Sequence, residues 1–210
     1  MTPPRLLETM RAERGGIPLL GLHLKRLASS ARALGYRYDE DTVRERLAAA
    51  LVGAPAEARA RLTLEAGGGV EVEVAPLDGA PLRTAWVDPE PLAEAGTWRC
   101  LHKTTARRHY RQRHERALAR GADEAVLLNA RGEVTEGTRT TVWAETDGRL
   151  WTPPVEAGGL PGVFRAHALA TDVRAGERPL APADLRAADA VWLSNAVRGW
   201  MRVRLVGSAP

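Results

Sequence analysis

The sequence predicts an α+β chain with a mixed first part and a strand-rich second part. Three features carry that prediction: helix-period apolar spacing near the start, strict alternation at residues 70–74, and closely spaced short apolar runs from residue 124 onward. With 210 residues, 44% of them hydrophobic, the chain can fill one large core or two small ones.

The elements follow in order. Residues 17–34 read as a helix, with Leu22, Arg26, Leu27, Ala31 and Leu34 near helical spacing. A second helix is expected at 41–51, capped by Asp41 or Thr42. Residues 61–75 read as a hairpin, turning at Gly67-Gly68-Gly69 into Val70-Glu71-Val72-Glu73-Val74. Another strand is expected at 82–87, and the Pro- and Gly-containing stretch 88–96 marks a domain boundary. The expected domains are therefore a small α+β domain at 1–90 and a strand-rich domain at 97–210. The second opens with a helix at 105–120, presenting Tyr110, His114, Ala117 and Leu118 on one face. Strands are expected at 124–128, around Val134, at 140–144, and at Leu150-Trp151 beyond an Asp147-Gly148 turn. A helix at 162–170 and strands at 190–193 and 201–205 complete the pattern. Trp143, Trp151, Trp192 and Trp200 read as core or interface residues.

The charge pattern is informative in one respect. A pI near 9.8 could mark a nucleic-acid partner. Yet the 30 basic residues comprise 28 arginines and only Lys25 and Lys103, so the basicity reads as a bias toward Arg. Arg can neither form a Schiff base nor titrate near neutrality, so a lysine retained against that bias is retained for its amine. Both lysines are therefore informative, although Lys25 neighbours Arg26 on a helix and reads as surface charge. Cys100 is the lone cysteine, so neither an intrachain disulfide nor a cysteine-based metal site is expected. His23 and His102 read as packed or hydrogen-bonded residues. No apolar run suits a membrane span, and Met1-Thr2-Pro3-Pro4-Arg5 leads into no signal-peptide core, so the expected location is cytoplasmic.

An ordered series of motifs runs along the chain. It comprises Glu8-Thr9-Met10-Arg11, His23-Leu24-Lys25-Arg26-Leu27, and His102-Lys103-Thr104-Thr105-Ala106-Arg107 with Tyr110 following. Next come Asp123 to Asn129, Gly132-Glu133-Val134-Thr135-Glu136-Gly137-Thr138, and Thr152-Pro153-Pro154. Leu160-Pro161-Gly162-Val163-Phe164-Arg165 and Leu193-Ser194-Asn195-Ala196-Val197-Arg198-Gly199 close the series. In this order the segments resemble the fold-type IV enzymes of pyridoxal 5'-phosphate (PLP), the class IV aminotransferase family. The branch they resemble most is 4-amino-4-deoxychorismate lyase.

The resemblance implies a two-domain fold, with a small α/β N-terminal domain and a strand-rich pseudo-barrel C-terminal domain, and an active site between them. It implies that Lys103 carries the cofactor as a Schiff base and moves the substrate's α-proton, while Glu136 faces the pyridine nitrogen. Arg26 pairs with the phosphate, aided by backbone N–H groups of Val163, Phe164 and Ala196. Arg107, Tyr110 and Arg198 border the substrate. The residues agree independently at one point: Pro161-Gly162 before an apolar helix is a natural anion cradle. The resemblance further implies a homodimer acting on a small anionic, amino-acid-like substrate in folate biosynthesis, with no nucleic acid or membrane partner.

The match departs in three places. Family members usually carry further residues before the Glu-Thr segment, forming a first strand; the resemblance leads one to expect that strand to be missing here, through a trimmed start, a dispensable strand or a drift in function. The usual Asn is replaced by Ala106 and by Thr141. Three functions fit. The first is a lyase converting 4-amino-4-deoxychorismate to 4-aminobenzoate and pyruvate. The second is a class IV aminotransferase for branched-chain or D-amino acids. The third is a non-enzymatic RNA-binding protein using the Arg-rich stretch 105–120, which the motif order and the lysine scarcity disfavour.

Overall fold

The computed structural model describes residues 3–14 and 16–207; Met1 and Thr2, part of the polar start read above, lie outside them. The chain forms two compact units, Met1–Gly79 with His102–Ala106, and Ala80–Leu101 with Arg107–Pro210. Composition suggested a division within 88–96. The units instead part at Gly79, and a five-residue stretch around Lys103 returns to the first.

In the first unit, β1 (Leu6–Glu13), β2 (Glu57–Leu64) and β3 (Val70–Pro76) form an antiparallel sheet in that order. Leu6 pairs with Leu64, and Leu64 with Val70, so the hairpin lies in the expected register. Gly68 takes a φ of 96°, which only glycine adopts without strain, so the Gly-Gly-Gly turn closes tightly. The sequence gives no signal for β1, because Leu6, Leu7 and Glu8 are consecutively buried and break any two-residue period.

Helix α1 (Leu20–Leu34) buries His23, Leu24, Leu27 and Ala31 at the expected spacing and ends on left-handed Gly35. It starts three residues later than expected. Helix α2 (Glu40–Leu51) is capped by Asp39, which accepts from Thr42 N–H at 3.1 Å, in place of Asp41 or Thr42. Glu40 and Asp41 fall instead in the first turn, where the helix dipole favours them. Leu6, Met10, Leu24, Leu27, Val43, Leu47, Leu62 and Leu64 make one core.

The second unit is built on an eight-stranded curled sheet. Its strands are β4 (Thr84–Val87), β5 (Glu124–Leu128), β6 (Val134–Gly137), β7 (Thr141–Thr146), β8 (Arg149–Thr152), β9 (Ala175–Glu177), β10 (Ala190–Asn195) and β11 (Gly199–Leu205). They run in the order β6-β5-β4-β11-β10-β7-β8-β9. Parallel pairing joins β4 to β5 and β11, and β8 to β9; the other pairs are antiparallel. The β7–β8 turn is Asp147-Gly148, both at positive φ, as its sequence requires. Val126, Val142, Leu193, Met201 and Val203 fill the interior with Leu185 of the short helix α6 (Pro182–Ala187).

Short helix α3 (Trp98–Leu101) precedes α4 (Arg108–Leu118), which begins after residue 107 because 102–106 is bound to β1 through an isolated bridge at Thr104. The buried face of α4 is His109, Tyr110, Arg113 and Ala117. Leu118, expected on that face, is 54% exposed, and Arg113 takes a buried place by pairing with Asp88 at 3.0 Å. Helix α5 (Val163–Thr171) starts one residue later than expected, with Gly162 at its N-cap. Trp143 is fully buried, edge-on to Trp200, and Trp192 and Phe164 pack on Trp200 in turn. No helix among the described residues is long and apolar enough to cross a membrane.

Candidate active site

The Lys103 segment is held by backbone hydrogen bonding to the edge of β1 that β2 leaves open. Leu7 N–H donates to Lys103 O at 2.8 Å, and Thr105 N–H donates to Arg5 O at 2.9 Å. Thr104 is buried between them and Lys103 is half-buried. A segment tied by backbone hydrogen bonds at Lys103 and Thr105 gives the lysine a defined backbone origin. His102 lies 3.0 Å from Ser30 Oγ through Nδ1, and burial pushes its imidazole below the ordinary value.

Beside this segment in the same unit, β1 points Glu8 at α1. Arg26 donates to it twice, Nε to Oε1 at 2.8 Å and Nη2 to Oε2 at 2.5 Å. His23 Nδ1 reaches Oε2 at 2.6 Å. Glu8 and His23 are 2% and 1% exposed. Burial alone would raise the Glu8 carboxyl, but the Arg26 charge and the hydrogen bonds from His23 and Arg26 outweigh it and hold the group at about 2. Arg26, expected at a phosphate, thus has its guanidinium plane set by a buried carboxylate. The sequence reading gave Glu8 no role; its signal was a lone acid within an otherwise buried stretch.

The second unit contains the other expected residues. Glu136 sits on β6, 8% exposed, and Tyr110 of α4 donates its hydroxyl to Oε1 at 2.5 Å. Tyr110 is 4% exposed, with the Arg107 guanidinium 4.4 Å over its ring. Arg107 Nη2 donates to Thr138 O at 2.5 Å, on the stretch following Glu136. Burial foremost, then the Glu136 charge, pushes the Tyr110 phenol well above its ordinary value, so it stays a donor. Cys100, in the same cluster, is pushed up to about 12, mainly by burial, and is inert.

Glu124, fully buried at the start of β5, holds the stretch after Glu136. It accepts from Thr138 N–H at 3.0 Å, Thr138 Oγ1 at 2.5 Å and Thr140 Oγ1 at 3.2 Å. Sequence reasoning missed it, because a carboxylate opening the run Glu124-Ala125-Val126-Leu127-Leu128 resembles an ordinary surface end.

From Glu136 the unit's geometry leads to the start of α5. A Cβ added at Gly159 would meet Glu136 Cβ at 3.4 Å, and one at Gly162 would meet Thr141 Oγ1 at 2.8 Å. The first N–H groups of α5, including those of Val163 and Phe164, have no acceptor within the helix. Thr141 pairs across the sheet with Ser194, which leads into the β10–β11 turn containing Ala196. Asn195 Oδ1 shapes that turn, accepting from Val197 N–H at 3.0 Å and Arg198 N–H at 2.8 Å. The Phe164 ring covers Gly199 at the turn's far end. Glu136 thus packs near Gly159 ahead of α5, and Phe164 of α5 packs near Gly199 beside the β10–β11 turn that carries Ala196 and Arg198. No group of three or more His, Cys, Asp or Glu among the described residues could hold a metal ion.

Comparison with known proteins gives a consistent result. Residues 5–206 match the family described as amino-transferase class IV. A Schizosaccharomyces pombe protein named "Putative aminodeoxychorismate lyase" is 32% identical over 174 residues, covering 80% of this chain and 74% of that one. A Mesorhizobium loti structure named "Putative amino-acid aminotransferase" superposes with a TM-score of 0.90 at 35% identity, covering 97% of this chain and all of that one. A Mycobacterium tuberculosis aminotransferase, described as hypothetical and solved in a PLP-bound form, gives a TM-score of 0.85 at 26% identity, covering 97% and 81%. The chain belongs to the class IV aminotransferase family, whose enzymes work with pyridoxal 5'-phosphate.

Proposed function

We propose that the protein is a PLP-dependent lyase that converts 4-amino-4-deoxychorismate to 4-aminobenzoate and pyruvate. The observation that supports this reading is Glu136, a buried carboxylate held on β6 by Tyr110 and packed close to Gly159, four residues before α5. The Lys-Thr-Thr segment and the similarity to the S. pombe protein support the lyase over other chemistries of the family.

The residues present fit the cofactor. The helix start after Gly162, whose Val163 and Phe164 N–H groups have no acceptor within the helix, is suited to a phosphate. Arg26 adds a guanidinium of fixed plane, and Ala196 a backbone donor. Glu136 presents an anion to a pyridine nitrogen, and Lys103 supplies the amine that bonds the aldehyde. When bound, PLP supplies an electron sink for the carbanion left by loss of the α-proton.

The chain's own groups do the rest. Lys103 Nζ takes the proton from C4 of the substrate. The ether C–O bond at C3 then breaks, the three-carbon unit leaves as pyruvate after gaining a proton, and the ring becomes aromatic. Arg107 and Arg198 meet the two substrate carboxylates and orient the C4–H bond. The family resemblance also supports a homodimer, which sedimentation checks directly.

The second reading is an aminotransferase, favoured by the names of the M. loti and M. tuberculosis structures. Purified protein loaded with PLP separates the two. Release of 4-aminobenzoate and pyruvate in equal amounts from 4-amino-4-deoxychorismate supports the lyase. Amino-group exchange between branched-chain or D-amino acids and a keto acid, without 4-aminobenzoate, overturns it.

A further inference from the structure

The resemblance implied a place for Tyr110 at the border of the substrate, with a core role as the alternative; its side chain is 4% exposed and its hydroxyl is bonded to Glu136. We infer that Tyr110 is a positioning residue for Glu136, with Arg107 locking the ring that carries the hydroxyl. This inference rests on the proposed role of Glu136 at the pyridine nitrogen.

Three observations support it. The 2.5 Å bond fixes Glu136 Oε1 from a helix, while β6 fixes the backbone, so the carboxylate is held from two elements. The Arg107 guanidinium covers the Tyr110 ring at 4.4 Å and is anchored to Thr138 O two residues past Glu136. Helix, ring and strand stretch thereby form a closed circuit: Tyr110 to Glu136, along the chain to Thr138, to Arg107, and back to the ring. The Cys100 thiol hydrogen-bonds the same phenol from within the apolar cluster, so the hydroxyl is enclosed by Glu136 and Cys100. A carboxylate opposite a cationic ring must hold its angle as well as its charge, and an O–H donor on one oxygen sets that angle.

The test is a double-mutant cycle with Tyr110→Phe and Glu136→Gln, read by PLP affinity and by the pH profile of the bound cofactor's visible absorbance. Tyr110→Phe is expected to weaken PLP by about tenfold and to move the pH profile. Added to Glu136→Gln it should cost little more, because its effect passes through that carboxylate. 3-Fluorotyrosine at position 110, a stronger donor that leaves the packing intact, should move the pH profile the opposite way, and it serves if Tyr110→Phe does not fold. Affinity and pH profile unchanged in Tyr110→Phe, or costs that simply multiply in the double variant, overturn the inference alone. A wild-type chain that takes up no PLP overturns the cofactor reading itself, so the two failures are distinct.

Discussion

Arg26 grips Glu8 through two nitrogens, at 2.8 and 2.5 Å, while His23 holds one of the same oxygens at 2.6 Å. The three groups come from β1 and α1, so this cluster ties the first helix to the sheet it covers.

Removing the carboxylate from that cluster should be costly. Glu8→Gln takes the anion from the part-buried Arg26 guanidinium and the buried His23 and is expected to destabilise the protein by about 2–4 kcal/mol. Urea denaturation at near-neutral pH measures the loss, and a change below about 1 kcal/mol would contradict the role given to Glu8.

The same cluster predicts a pH dependence. The Glu8 carboxyl is held at about 2, below its ordinary 4.5, so its contribution is complete above 4.5 and fades as pH falls toward 2. The shift corresponds to about 3 kcal/mol at most. The stability gap between wild type and Glu8→Gln should therefore narrow steadily as acid is added. A gap that holds constant over this range would show that Glu8 is not the titrating group.

Lys103→Arg keeps the charge and length of the side chain but loses the amine that can bond an aldehyde. With PLP it should show no lysine-linked visible absorbance, while wild type does, and borohydride reduction of wild type should label the peptide containing residue 103. Label elsewhere would overturn the assignment.

Gly162→Ala isolates one contact, because φ at Gly162 is −65° and suits alanine. The added Cβ would lie 2.8 Å from Thr141 Oγ1, so either the Thr141 side chain or the start of α5 must shift. PLP affinity should fall by about tenfold, the size of an overpacking cost of 1–3 kcal/mol. Thr141→Ala in the same chain removes the clash and should restore most of the affinity.

Glu124→Ala should cost at least about 3 kcal/mol, since it strands the buried N–H of Thr138 and the hydroxyls of Thr138 and Thr140. Its melting curve reads this directly. If stability is unaffected, the stretch after Glu136 is held by something else.

Much of this architecture was legible because side-chain periodicity is local. Leu24, Leu27 and Ala31 announced α1, and Val70 to Val74 announced β3, since each period reflects one buried face. Asp147-Gly148 named its turn by backbone chemistry alone. β1 was hidden because Leu6, Leu7 and Glu8 are all buried, and a strand covered on both faces has no alternation to detect. The start of α4 was misplaced because 102–106 is committed to β1, a pairing made across about a hundred residues that no local window contains. Site residues behaved similarly. Motif order pointed to Lys103 and Glu136, but nothing in the sequence indicated that Tyr110 would face Glu136 or that Glu8 would clasp Arg26, because both contacts depend on tertiary packing.

The return of residues 102–106 to the edge of β1 constrains how the protein can be born and divided. A nascent or truncated polypeptide ending before His102 exposes the bare rim of its first sheet, an invitation to pair with a neighbouring molecule. Cutting the chain at Gly79 to isolate the N-terminal portion would therefore yield an unfinished, aggregation-prone piece, whereas supplying the missing pentapeptide in trans should quiet it.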